Sequence, residues 1–159
     1  MILVSSCLLG LKTRYDGGNN AQKLLLKYKD LLKFIPVCPE VEGGLSIPRL
    51  PAEIVNGDGS KVLTGQARVL DCRGRDVTTA FVKGAKITAG KLSSHNITAA
   101  ILKEGSPSCG VHRIYDGTFT KHKKAGQGVT AALLQQLNLP VYSEEELTEE
   151  LLAFLQSQS

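Results

Sequence analysis

Ala99-Ala100-Ile101-Leu102-Lys103-Glu104-Gly105-Ser106-Pro107-Ser108-Cys109-Gly110 is the stretch whose reading decides the fold. Its four leading apolar residues fit a strand buried on both faces, as in parallel sheets. The following Gly-Ser-Pro-Ser-Cys-Gly cannot continue that strand or begin a regular helix. Pro107 fixes its own φ and biases Ser106 towards extended backbone. Gly105 and Gly110 admit backbone angles that other residues avoid. The expected product is a stiff loop at the carboxyl end of a strand, carrying one thiol and two hydroxyls. In open α/β sheets, ligands sit at such strand ends.

The same arrangement occurs twice more. Residues Ile2 to Ser6 read as a buried strand ending at Cys7, and Phe34-Ile35-Pro36-Val37 as a second ending at Cys38. Pro36 places that second strand where only one side is paired. Between them, Leu24, Leu25, Tyr28, Leu31 and Leu32 recur at spacings of three and four, which predicts a helix over Ala21 to Lys33. A second helix is expected from Val77, capped by Asp76, and a third from Val129 to Leu137. Gly84 and Gly90 both lower the intrinsic stability of the second. Val141-Tyr142 reads as a last short strand, and Ser143 with Glu146 as the capping box of a final helix.

Strands alternating with helices predict an α/β fold: one three-layer, Rossmann-like domain over residues 1–159, with a mostly parallel sheet of about four strands. Small antiparallel hairpins are expected as excursions. One joins Ala52–Val55 to Lys61–Leu63 through Asn56-Gly57-Asp58-Gly59, with Ala67–Leu70 alongside. The other is a tight hairpin over Arg113–Phe119, turning at Asp116-Gly117.

The chain has 159 residues, enough for a real core, and its 42% hydrophobic content excludes disorder by composition. With 19 Lys and Arg against 15 Asp and Glu, the net charge is a mild +4. No basic run interleaves with aromatics, which argues against stable nucleic-acid binding. No stretch approaches the roughly 18–20 apolar residues of a membrane span, so no membrane partner is expected. The first residues lack the basic segment of a signal peptide. These features predict a reducing cytoplasm, where disulfides are rare. The four cysteines are then metal ligands, catalytic thiols or core filler.

Cys7, Cys38 and Cys109 each follow an apolar strand and precede a loop rich in Gly or Pro. If those strands are parallel neighbours, the thiols meet at one rim of the sheet, and no local CxxC pattern is needed. Three thiolates suit a soft metal centre. Zinc with an open position is one candidate; a cubane iron–sulfur cluster with one iron lacking a protein ligand is the other. Inert filler predicts no such repeated placement. Cys72 lies in a turn outside the pattern. His95, His112 and His122 show no ligand spacing, and only His112 is close to a candidate thiol in sequence.

Several motifs now fall together: Cys7-Leu8-Leu9-Gly10, Arg14-Tyr15-Asp16-Gly17-Gly18, Cys38-Pro39-Glu40 with Gly43-Gly44-Leu45 and Pro48-Arg49, Ser106-Pro107-Ser108-Cys109-Gly110, and Gly128-Val129-Thr130-Ala131-Ala132. In this combination, over roughly residues 1–146, the chain resembles the bacterial family that contains the 2-thiouracil desulfurases. That resemblance implies a [4Fe-4S] cluster on Cys7, Cys38 and Cys109, and non-redox removal of sulfur from a thiolated pyrimidine. Ser46 and Leu50 depart from the family pattern in the loop near the second ligand, which bears on substrate choice.

On this reading the open iron takes the thiocarbonyl sulfur, and water, activated by a carboxylate, attacks the carbon. Glu40 is the first candidate for the acid–base group and Ser106 for orienting the substrate or passing a proton. Glu42 is the second carboxylate, Ser108 a neighbour able to bond cluster sulfides, and Asp16 and Asn19 candidate readers of the pyrimidine edge. Either glutamate could instead pair with Arg49, and Ser106 could serve only its own turn. The competing functions are a zinc–thiolate hydrolase and a non-enzymatic iron–sulfur sensor or carrier.

Overall fold

Strand alternation sorts the core into layers in the computed structural model, which describes residues 1–159. In β1 (Ile2–Ser5), Ile2 and Val4 face one side of the sheet and Leu3 the other. On the first side they pack against Leu25 and Tyr28 of α1 (Lys23–Tyr28), and against Leu152 and Leu155 of α6 (Glu149–Ser157). On the second, Leu3 packs with Ala131 and Leu134 of α5 (Val129–Gln136). Ala89 and Leu92 of α4 (Thr78–Ser94) complete that layer.

The sheet holds β1, β2 (Phe34–Val37), β5 (Ala99–Leu102) and β8 (Val141–Ser143), all parallel, in the order β2-β1-β5-β8. The fold is therefore the expected three-layer α/β arrangement. Pro36 lies on the outer strand β2, as its missing N–H requires. From β1 the chain moves outward to β2 and later returns to the other side of β1. The topological switch point thus falls between β1 and β5, where crevices form beyond the carboxyl ends.

Two short antiparallel pairs stand beside this sheet: β3 (Ala52–Val55) with β4 (Arg68–Asp71), and β6 (Arg113–Tyr115) with β7 (Lys123–Ala125). No helix is long and apolar enough to cross a membrane.

Local chemistry moved several expected boundaries. Lys61–Leu63 is not a strand but lies in the helix α3 (Gly59–Leu63). Asp58 caps it by accepting from the Lys61 N–H, so the Asn-Gly-Asp-Gly run starts a helix rather than turning a hairpin. Asp116-Gly117 does not turn a tight hairpin either. Glu53 accepts the N–H groups of Gly117 and Phe119, which draws residues 116–122 into a longer loop. The first helix ends at Tyr28 rather than Lys33. Ser143 caps only a 3-10 turn over Glu144–Glu146, with the capping box formed, while Thr148 caps the final helix.

The loop after Cys38 is partly helical: α2 (Pro39–Glu42) packs against α4 at backbone distance. A Cβ on Gly84 would stand 1.8 Å from the Pro39 carbonyl oxygen, and one on Gly43 2.0 Å from that of Ala80. Two glycines thus let the short helix that follows the second thiol lie directly on the long one.

Candidate functional site

Cys7 leaves β1 inside a 3-10 turn, Ser6–Leu9, and Cys38 is the residue between β2 and α2. Cys109 sits in the loop after β5. Its position is fixed by the start of α5, where the N–H groups of Val129 and Thr130 donate to the carbonyls of Pro107 and Ser108 at 2.9 and 2.8 Å. The helix start that would otherwise leave donors unpaired is thereby tied to the thiol loop.

The loop Thr13–Asn20 spans the first two thiols. The Asn20 backbone N–H donates to the Cys7 carbonyl at 2.9 Å, and its side-chain amide to Cys7 Sγ at 3.6 Å. Cys38 Sγ donates to the Thr13 carbonyl at 3.7 Å, and Arg49 Nη2 reaches the same oxygen at 2.9 Å.

Burial raises the Cys7 thiol above its ordinary range, against the opposing Asn20 hydrogen bond; a charge on Cys38 would raise it further. Burial pushes Cys109 up to about 12, opposed by hydrogen bonds from Ser5 and Ser108, with Cys38 and Cys7 again adding to the rise. Cys7 and Cys38 closely follow the carboxyl ends of β1 and β2, and Cys109 lies in the loop that leaves the same end of β5, on the other side of β1. All four cysteines are unbridged, and Cys72 is exposed in a turn outside this group.

The donor set is chemically suited to a soft cofactor. No three His, Cys, Asp or Glu side chains close on a point where one metal ion could bind them together. What the residues offer is soft chemistry: three thiols after neighbouring strands are donors that an iron–sulfur cluster accepts. Loading one would displace the thiol protons, since the ligand form is the thiolate.

Glu40, Ser108 and Ser106 form one hydrogen-bonded line beside Cys109. Ser108 Oγ donates to Glu40 Oε2 at 3.1 Å and lies 3.6 Å from Cys109 Sγ. Ser106 Oγ lies 3.0 Å from Ser108 Oγ. The Ser106 oxygen also accepts the N–H groups of Ser108 and Cys109, each at 3.1 Å. With its oxygen held by two donors, its single hydrogen is left to point at Ser108 or at a bound molecule.

Arg49 Nε contacts Glu40 Oε1 at 3.2 Å, with the arginine side chain 8% and the glutamate 16% exposed. This is a half-enclosed pair that fixes the carboxylate's direction, not a solvated surface bridge. Glu40 and Arg49 also wall a cavity of about 610 Å³ with Leu45, Pro48 and Arg75, so the carboxylate touches both the Cys109 loop and open volume.

The other candidates are engaged elsewhere. Glu42 binds Lys91 at 2.5 Å and accepts from Thr88 at 3.3 Å, which ties α2 to α4. Asp16 accepts the Gly18 N–H and pairs with Arg14; Asn19 accepts the Ala21 N–H. Both shape their own loop. His112 pairs with Glu146 at the surface. Asn20 escaped the sequence reading because an identical residue precedes it. Lys103, which meets Glu144 at 2.8 Å near Cys7, escaped because nothing local marks a lysine after a strand.

The model of the 2-thiouracil desulfurase family matches residues 2–146. A Bacillus subtilis (strain 168) protein described as uncharacterized protein YbbK is 48% identical over 149 residues, covering 94% of this chain and 99% of that protein. Among solved structures, the [4Fe-4S]-dependent thiouracil desulfidase TudS matches with a TM-score of 0.85 at 39% identity, over 99% of this chain and 98% of the other.

Proposed function

The chain belongs to the 2-thiouracil desulfurase family, and from that premise we propose that it removes sulfur from a thiolated pyrimidine such as 2-thiouracil, releasing hydrosulfide. When bound through Cys7, Cys38 and Cys109, a [4Fe-4S] cluster supplies an iron without a protein ligand, a Lewis acid with affinity for sulfur. The supporting observation is the line of Glu40, Ser108 and Ser106 that ends beside Cys109 Sγ.

The reaction exchanges the thiocarbonyl sulfur for the oxygen of water, and no electrons are gained or lost. Glu40 Oε2 takes a proton from the attacking water, and Arg49 holds that carboxylate in place. Ser106, its oxygen pinned by two backbone donors, offers its hydrogen to the substrate or returns it towards Ser108. The protons lost by water leave with the sulfur as hydrosulfide and solvent-bound acid, so the balance closes.

Anaerobic purification followed by incubation with 2-thiouracil tests the reading. The protein is expected to be brown and to release hydrosulfide. Glu40→Gln is expected to retain its iron and lose roughly 100-fold or more in rate, the range of a positioned acid–base group. A smaller loss, about 10-fold, is expected for Ser106→Ala, because Ser108 can still relay a proton. A brown protein releasing no hydrosulfide is a sensor or carrier; a colourless one with zinc is a hydrolase. Unchanged rates in both variants would remove Glu40 and Ser106 from the mechanism.

A further inference from the structure

The loop Arg14-Tyr15-Asp16-Gly17-Gly18-Asn19-Asn20 takes no part in the proposed chemistry, yet one of its side chains touches a candidate ligand. Asn20 is held at three points. Its backbone N–H donates to the Cys7 carbonyl at 2.9 Å. Its Oδ1 accepts from Arg14 Nη1 at 2.7 Å. Its Nδ2 lies 3.6 Å from Cys7 Sγ. A guanidinium only donates, so the amide oxygen must face Arg14 and the NH2 must face the sulfur. Arg14 is itself braced by Asp16 at 3.2 Å. The order Asp16, Arg14, Asn20, Cys7 therefore fixes which end of the amide reaches the thiol.

We propose that Asn20 is a positioning residue that acts through Cys7 to tune the cluster, its amide N–H drawing negative charge from the ligand sulfur. The proposal rests on the cluster reading above. A hydrogen bond to a ligating sulfur weakens its donation to iron, stabilises the more reduced cluster and leaves the open iron more electrophilic. The three thiols are unequal in this respect. Cys7 has the Asn20 N–H; near Cys109 the one Ser108 hydrogen is divided between the sulfur and the closer Glu40 carboxylate; Cys38 faces the Thr13 carbonyl, which accepts and cannot donate. Cys38 is thus the electron-rich ligand and the Asn20 side the electron-poor one.

The test compares anaerobically reconstituted wild type with Asn20→Ala and Asn20→Asp, reading iron content and the midpoint potential of the cluster. Asn20→Asp keeps an acceptor for Arg14 and removes the donor to sulfur; Asn20→Ala removes both. Both variants are expected to hold iron near the wild-type level and to show a more negative midpoint, Asn20→Asp the more so because it adds a charge. Arg14→Ala should shift the midpoint the same way by less, since the amide is then free to turn. Midpoints that stay at the wild-type value would overturn the proposal, as would variants that lose iron while the loaded fraction keeps its potential, because the residue is then only structural. A wild type that takes up no cluster overturns this proposal together with the reading beneath it.

Discussion

Gly84→Ala is expected to lower folding stability by about 3 kcal/mol or more, because overpacking costs about 1–3 kcal/mol where side chains can yield and here the obstacle is backbone. The new Cβ would lie 1.8 Å from the Pro39 carbonyl oxygen, and neither side of that contact has a rotamer to change. Helix propensity alone argues the reverse, since Ala is favoured over Gly by up to about 1 kcal/mol inside a helix. The clash is the larger effect. Gly90, in the same helix, provides the control: nothing lies within 4 Å of a Cβ built there. Gly90→Ala should therefore gain about 0.5–1 kcal/mol. Urea unfolding at matched iron content checks both signs. Relief of the clash must move α2, so Gly84→Ala should also slow hydrosulfide release through a misplaced Glu40.

Glu104→Ala is the second large effect, a loss of about 3–5 kcal/mol. The Glu104 carboxylate is buried, and its Oε1 accepts the N–H groups of Val111, His112 and Arg113 at 2.8, 2.9 and 3.0 Å. Those donors lie just beyond Cys109, so the carboxylate folds the thiol loop back onto the end of β5. Removing it strands three backbone donors, each costing about 1–3 kcal/mol when unpaired and buried, less what water entry recovers. Glu104→Gln keeps one acceptor oxygen but no charge and should lose roughly half as much, since hydrogen bonds to ionised groups are about twice as strong.

The pH dependence follows with a definite sign. Burial pushes the Glu104 carboxyl up, but donation from Arg113, His112 and Val111 outweighs it and holds the group below the usual carboxylate range. A depressed folded value means its contribution is complete above the unfolded value, near about 4.3, and is lost as pH falls through the folded one. Wild type should lose stability on acidification in that window, and Glu104→Gln should lose less. Parallel slopes for the two proteins would remove Glu104 from the acid response.

The sheet was legible because its apolar runs of four or so residues are too short for a helix and end in thiol loops or turns, and Pro36 even disclosed which strand lies outermost. The placement of three cysteines after such runs pointed to one rim without any local metal motif. Hairpins were harder to read. Asp58 belongs equally to a turn and to a helix cap, and the competition is settled by the Lys61 N–H. Glu53, distant in sequence, draws Gly117 out of the tight turn that Asp116-Gly117 favours locally. Within the site, side-chain type alone could not separate Glu40 from Glu42. One faces Ser108 and the other Lys91 because they lie two residues apart on α2, an angular offset that takes effect only once α4 is in place. Gly84 and Gly90 likewise look alike in the sequence, and only the packing of α2 tells them apart.

Ile2 donates to the Lys33 carbonyl, so alternation along β2 turns the backbone groups of residues 35 and 37 inward and those of residue 36 outward. The residue turned outward is Pro36, which has nothing to donate. A strand from another molecule that tried to extend the ladder would find a gap midway along four residues. The margin beside Cys38 is in this way blunted against strand addition, since one of the outward donors a new strand would need is missing.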